Sequence, residues 1–216
     1  MPFLDLEQWP RRDLFHFFRT FEYPFFGVCV RVRVGRLLAW ARARQLKSFP
    51  CLLYGSQSAA NGEPSFRYRL RGERVWVHDR IEAGFTVPDS PESFGFCHVP
   101  YHATFTGFYR DCRQRIEAFR KNPPPLTPST TDDVIHYSVL PWLAFTGFSH
   151  ARPGDLGDSV PKIMFGKIEG AEGEEEMPVH VSAHHALMDG VHVGRFIEAF
   201  QSILDRPELL DEDVPK

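Results

Sequence analysis

The sequence predicts a mixed α+β or mixed α/β fold, and three observations carry that reading. Valine-rich stretches alternate with a period of two, phenylalanine-rich stretches recur at helical spacing, and the two kinds follow one another in no regular strand and helix order. The last point disfavours a doubly wound sheet. At 216 residues the chain fits one domain, read as 1–216, and buries a sizeable core without help from disulfides or metals.

Taken in order, "RRDLFHFFRTFEYPFF" sets Leu14, Phe15, Phe18 and Phe21 at helical spacing, with Asp13 near the start and Pro24 after the end. "GVCVRVRVG" alternates Val28, Val30, Val32 and Val34 with Cys29, Arg31 and Arg33, a strand with one wet face. "RLLAWARARQLKS" reads as a helix stopped by Pro50. "PSFRYRLRGERVWVHD" alternates Phe66, Tyr68 and Leu70 against Arg67, Arg69 and Arg71, turns at Gly72 and resumes with Val75 and Val77, which predicts a hairpin.

"FTVPDSPESFGFCHVPY" reads as short strands broken by prolines, and Phe105, Phe108, Cys112, Ile116 and Phe119 mark a helix reaching about Lys121. "NPPPLTPSTTDD" is a connecting loop, and "DDVIHYSVLPW" a strand ending at Pro141. "PKIMFGKIEGAEGEEEMPVHVSAHH" reads as two strands joined by a tip whose glutamates keep the turn soluble. "VHVGRFIEAFQSILD" closes the pattern as an amphipathic helix, with Val193, Phe196, Ile197, Phe200 and Ile203 on one side.

The formal charge of -3 gives no overall field to attract nucleic acid; the local cluster Arg31, Arg33, Arg36, Arg42, Arg44 and Lys47 reads as the solvated side of one strand and one helix. Cys29, Cys51, Cys97 and Cys112 form no CxxC pair and no metal-like spacing, so free thiols are expected. The opening "MPFLDLEQWPRRDLF" is charged early and lacks the apolar run of a signal peptide. No apolar window approaches the ~18 residues of a membrane span, and a reducing cytoplasm is the expected location.

The chemistry concentrates in "HVSAHHALMDGVHVGRF", which holds His180, His184, His185, Asp189 and His192 at the end of a strand, across a short connection and into a helix. Strand ends opening into loops combine a rigid scaffold with an accessible tip. In one reading these histidines only satisfy buried hydrogen bonds. A metal needs three or four converging ligands, and neighbours on a strand such as His184 and His185 point to opposite faces, so no metal is expected. A general base needs one neutral imidazole with its tautomer fixed and its other nitrogen free for substrate.

"HHALMDGVHVGRF" fits the HHxxxDG motif of coenzyme A dependent acyltransferases and is especially similar to the chloramphenicol acetyltransferase family. "WPRRDLFHFF", "HYSVLPWLAFTGF" and "PKIMFGKIEG", with Lys167, resemble further segments of that family in the same order. The resemblance implies a two-layer sandwich in which a mixed sheet is covered by helices. It implies an O-acetyltransferase using acetyl-CoA as cosubstrate, acting on chloramphenicol or another small hydroxyl compound by direct ternary-complex transfer. His185 is then the general base, Ser138 the hydrogen-bond donor to the oxyanion, and Asp189 with Arg11 a buried ion pair supporting the loop. Phe17, Phe18, Phe26, Phe94, Phe145 and Phe148 fall where the family lines its substrate and coenzyme channels, though each equally fits core packing. A homotrimer with active sites between subunits follows by the same resemblance.

The sequence departs from the family at Met164, where a threonine normally positions a water, and a thioether cannot donate that hydrogen bond. His150 and Glu22 also stand where the antibiotic pocket is usually less polar. The competing reading is a descendant of the fold that binds CoA or a small ligand without turnover.

Overall fold

The valine alternation forms β1 (Phe25–Arg33), because β-branched side chains suit the pleat and every second residue can turn to one side. The computed structural model describes residues 2–126, 131–152 and 157–213, so 127–130 of the predicted connecting loop lie outside the described residues. Ahead of β1 stands α1 (Arg12–Phe18), which buries Phe15 and ends before Phe21. After it come α2 (Gly35–Ala43) and α3 (Ser48–Gly62), then the hairpin of β2 (Tyr68–Arg71) and β3 (Arg74–Val77).

One predicted helix is two separate helices. The helix predicted up to Pro50 ends at Ala43, with Gln45 at positive φ, and Pro50 lies inside the first turn of a separate helix. Proline is tolerated there because the first-turn N–H groups have no intrahelical partner to lose. Arg69, grouped with Arg67 and Arg71 by alternation, is fully buried. Its guanidinium donates to the carbonyls of Asp132 (2.6 Å), Phe66 (2.9 Å), Tyr68 (2.6 Å) and Val134 (2.7 Å), and so ties the hairpin to the main sheet. The turn at Gly72, at φ 59°, forms as predicted.

The chain continues through β4 (Glu82–Ser90), β5 (Ser93–Val99), α4 (Phe105–Lys121), β6 (Val134–Val139), β7 (Lys162–Phe165), β8 (Glu176–His184) and α5 (Gly190–Asp205). β4 and β5 are continuous strands and not fragments broken by proline. Pro88 is accommodated because β6 pairs β4 only over Glu82–Phe85, which leaves that side of the strand open at residue 88.

The six-stranded sheet runs β1-β8-β7-β6-β4-β5, with the two inner pairs parallel and the others antiparallel. One face carries Val32, Phe85, Val99, Ile135, Ile163, Val179 and Val181 into a single core shared with α2, α3, α4 and α5. Each such fully buried side chain contributes about 1.5–3 kcal/mol. The opposite face carries His136, Met164, His180, Ser182 and His184, and the segment from Leu143 to Arg152 passes over it. This is the two-layer arrangement of a mixed sheet and helices.

The arginine cluster is paired at the surface, Arg31 with Glu176 (2.9 Å) and Arg33 with Asp205 (2.8 Å). In the glutamate tip, Glu175 departs from the expected solubilising role: it is buried, accepts from Gly173 N–H at 2.7 Å and faces Arg42.

Candidate active site

β8 delivers His184 and His185 to opposite sides of the sheet, as strand geometry requires. His184 is buried against Phe25 at 5.1 Å and its Nδ1 accepts from Ala186 N–H at 3.2 Å; burial pushes its pKa down to about 4. His185, one residue past the strand, stacks on Phe18 with ring centroids 3.8 Å apart and planes 11° from parallel, and meets Phe26 at 4.7 Å. Its backbone N–H donates to Pro24 O at 2.7 Å.

The imidazole's tautomer follows from its partner. Nδ1 of His185 lies 3.2 Å from Met188 O. A carbonyl only accepts, so the neutral ring carries its proton on Nδ1 and presents Nε2 as a base. The loop that supplies Met188 is clamped by Arg11, whose guanidinium pairs with Asp189 and donates to His185 O at 2.9 Å.

Asp189 also caps α5, accepting from Val191 N–H at 3.0 Å, while its own N–H donates to His192 Nδ1 at 3.1 Å. Burial by itself raises the Asp189 carboxyl; the Val191 N–H, Arg11 and His192 outweigh it and hold the pKa below the usual carboxylate range. HHxxxDG thus folds into a strand end, a tight loop and a helix cap, each fixing the next.

Ser138 belongs to a different place. It pairs with Met164 in the β6–β7 register, Met164 pairs with His180, and His180 pairs with Cys29. These four residues form one row on the face opposite the helices. Phe145 and Phe148 lie over the row: Phe145 O is 3.9 Å from Cys29 Sγ, and the Phe148 ring is 5.9 Å from His180. From His180 to His185 is five residues, roughly 17 Å along β8, and Ser138 lies a further two strand spacings, about 10 Å, across the sheet. Within one chain Ser138 and His185 do not share a site.

The predicted residues therefore divide. His185, Asp189, Arg11, Phe18 and Phe26 cluster at one end, with Phe17 beside Phe18 at 5.1 Å and 59% exposed. Ser138, Met164, Phe145 and Phe148 form the second group. Phe94 joins neither: it lies exposed on β5, the far edge strand, against Phe96 at 5.9 Å.

Sequence reasoning missed what surrounds the second group. His180, given no role, is only 3% exposed and sits over Gly27, where a Cβ would meet its Nε2 at 2.5 Å. Arg152 lies over the Phe25 ring at 3.6 Å and pairs with Asp158 at 2.8 Å. The alternation in "PVHVSAHH" was the available signal for His180, but register with Cys29 and Met164 is a tertiary fact. Among the described residues no three His, Cys, Asp or Glu side chains converge as a metal site requires, and no helix is long and apolar enough to cross a membrane.

The family model for chloramphenicol acetyltransferase matches residues 1–201. The chain belongs to the chloramphenicol acetyltransferase family. A chloramphenicol acetyltransferase of Bacillus pumilus is 26% identical over 204 residues, covering 92% of this chain and 91% of its own length. A solved chloramphenicol acetyltransferase structure superposes with a TM-score of 0.82 at 28% identity, covering 93% of this chain and 98% of that one. The dihydrolipoamide acetyltransferase of Azotobacter vinelandii shares the fold with a TM-score of 0.69 at 15% identity, covering 92% of this chain and 88% of its own.

Proposed function

We propose that this chain, as one acyltransferase domain over 1–216, moves an acetyl group from acetyl-CoA to a hydroxyl of chloramphenicol or a related small molecule. The observation that carries the reading is the orientation of His185. Nδ1 is committed to Met188 O, the ring is held between Phe18 and Phe26, and the loop is fixed by the Arg11–Asp189 pair. Nε2 is left to take the proton of the attacking hydroxyl and return it to the departing thiolate. A base so positioned contributes about 10²–10⁴-fold.

Ser138 supplies the donor to the oxyanion, and the distance separating it from His185 supports reading the two as contributions of neighbouring chains. A homotrimer with a site at each interface meets that requirement: His185 and its clamp come from one subunit, the Ser138 row and the cover of Phe145 and Phe148 from the next. No metal enters the scheme.

One observation favours binding without turnover. Met164, 4% exposed, separates Ser138 from His180 with a thioether that cannot donate a hydrogen bond. The deciding experiment is a thiol-release assay with acetyl-CoA across hydroxyl acceptors including chloramphenicol, beside His185→Ala. Release that depends on His185 supports acetyl transfer; coenzyme binding without release on any acceptor supports the binding descendant; release untouched by the substitution removes His185 from the mechanism.

A further inference from the structure

Two imidazoles that the chemistry proposed above does not use meet at the Ser138 row: His180 within it and His150 on the segment covering it. His180 and His150 lie with ring centroids 5.5 Å apart under Phe148, which is 4.8 Å from His150 and 5.9 Å from His180. Nδ1 of His180 and Nε2 of His150 are both buried and have no hydrogen-bond partner among the described residues. A buried polar atom left unpaired costs about 1–3 kcal/mol, so a pair of them in one place points to a group that completes them.

The surroundings keep both rings neutral. Burial, reinforced by neighbouring His180, pushes His150 down to about 3; burial and Arg152 lower His180. A neutral imidazole carries one N–H and one lone-pair nitrogen, so the pair faces its surroundings with both a donor and an acceptor. The backbone makes room for this arrangement. Gly27 on the neighbouring strand lies where any Cβ would stand 2.5 Å from His180 Nε2.

We propose that His150 and His180 are specificity-determining residues that bind a second polar group of the acceptor, a hydroxyl or amide, at the end of the molecule remote from the acetylated oxygen. The register sets the length of that acceptor. Ser138, Met164 and His180 stand on successive strands, so the reacting centre and the imidazole pair are roughly 10 Å apart, two strand spacings. Met164 forms the apolar middle, and Phe148 covers the far end beside His180. The acceptor class is a slender alcohol, apolar in the centre, with a hydrogen-bonding group at the far end.

The inference rests on the acetyl-transfer reading, and its test separates the two. The full-length protein is assayed by thiol release with 3-(4-hydroxyphenyl)propan-1-ol and with 3-phenylpropan-1-ol, which differ only in the remote hydroxyl. Binding of both compounds is measured by calorimetry in parallel. The wild type is expected to favour the phenol by about tenfold in kcat/KM, through KM, the worth of one hydrogen bond in a desolvated site. His150→Leu and His180→Ala are each expected to lose that preference, the kcat/KM for the phenol falling about tenfold to meet that for 3-phenylpropan-1-ol.

Turnover with no preference, or a preference that survives both substitutions, overturns the inference and leaves acetyl transfer standing. A preference seen by calorimetry with no thiol release upholds the recognition site while overturning the activity. Should His180→Ala fail to fold, His150→Leu alone decides, because His150 lies on the covering segment and not in the sheet.

Discussion

The two halves of the candidate site are built on opposite plans. At the His185 end the polar groups are engaged except for Arg11 Nε: the Arg11 guanidinium with Asp189 and a carbonyl, Asp189 with the helix it caps, Nδ1 of His185 with Met188. In the Ser138 row and the segment over it, two buried imidazole nitrogens have no hydrogen-bond partner among the described residues, and a thioether occupies the middle of the row. A proton-transferring group needs one orientation held against every alternative, and the crowded end supplies it. An acceptor pocket needs groups left for the ligand, and the row supplies those. On the proposed reading, proton transfer belongs to one end, and acceptor recognition together with the oxyanion donor Ser138 belongs to the other.

The comparison breaks first at His185. His185→Ala is expected to lower kcat by about 10²–10⁴-fold; stopped-flow or steady-state thiol release measures it. Ser138→Ala should follow with about a 10²–10³-fold loss in kcat, KM for acetyl-CoA unchanged. If the row served binding alone, that substitution would move KM and spare kcat.

Asp189→Asn probes the clamp. It leaves Arg11 without its counter-charge, and because the carboxylate is 29% exposed the expected loss is about 2 kcal/mol, below the ~3–5 kcal/mol of a fully buried pair. The sign with pH is fixed by the direction of the shift. The folded pKa lies below the unfolded value of about 3.9, so the Asp189 contribution is fully present above that pH and is lost as pH falls through the folded value. Denaturation of wild type and variant from pH 7 downward should therefore converge in acid; parallel curves would show the pair contributes nothing.

Met164→Thr carries the smallest effect: a few-fold rise in kcat at the cost of about 1–2 kcal/mol of stability, as a hydroxyl replaces a buried thioether. A fall in kcat would place Met164 among the positive determinants of the acceptor.

What the sequence disclosed follows the same division. The local ladder from His185 through Asp189 to α5 was legible because every contact in it spans a few residues, and strand alternation alone separated His184 from His185. Arg11 entered through resemblance, since no local rule brings residues 11 and 189 together. The burial of Arg69 is not legible in the pattern, because a period of two tells which residues share a face but not whether that face meets solvent. α3 was missed because a proline was read as a stop where the first turn tolerates it. The row of Ser138, Met164, His180 and Cys29 joins four strands, and pairing between distant strands leaves no trace in the order of residues.

The spacing of Ser138 from His185 has a genetic consequence. If each site draws these two residues from different subunits, chains carrying His185→Ala and chains carrying Ser138→Ala, each inactive alone, complement one another when expressed together. In randomly mixed cyclic assemblies roughly a quarter of the interfaces join the intact histidine of one chain to the intact serine of the next. Two silent alleles would then yield an active cell, and the recovered fraction would count interfaces rather than chains.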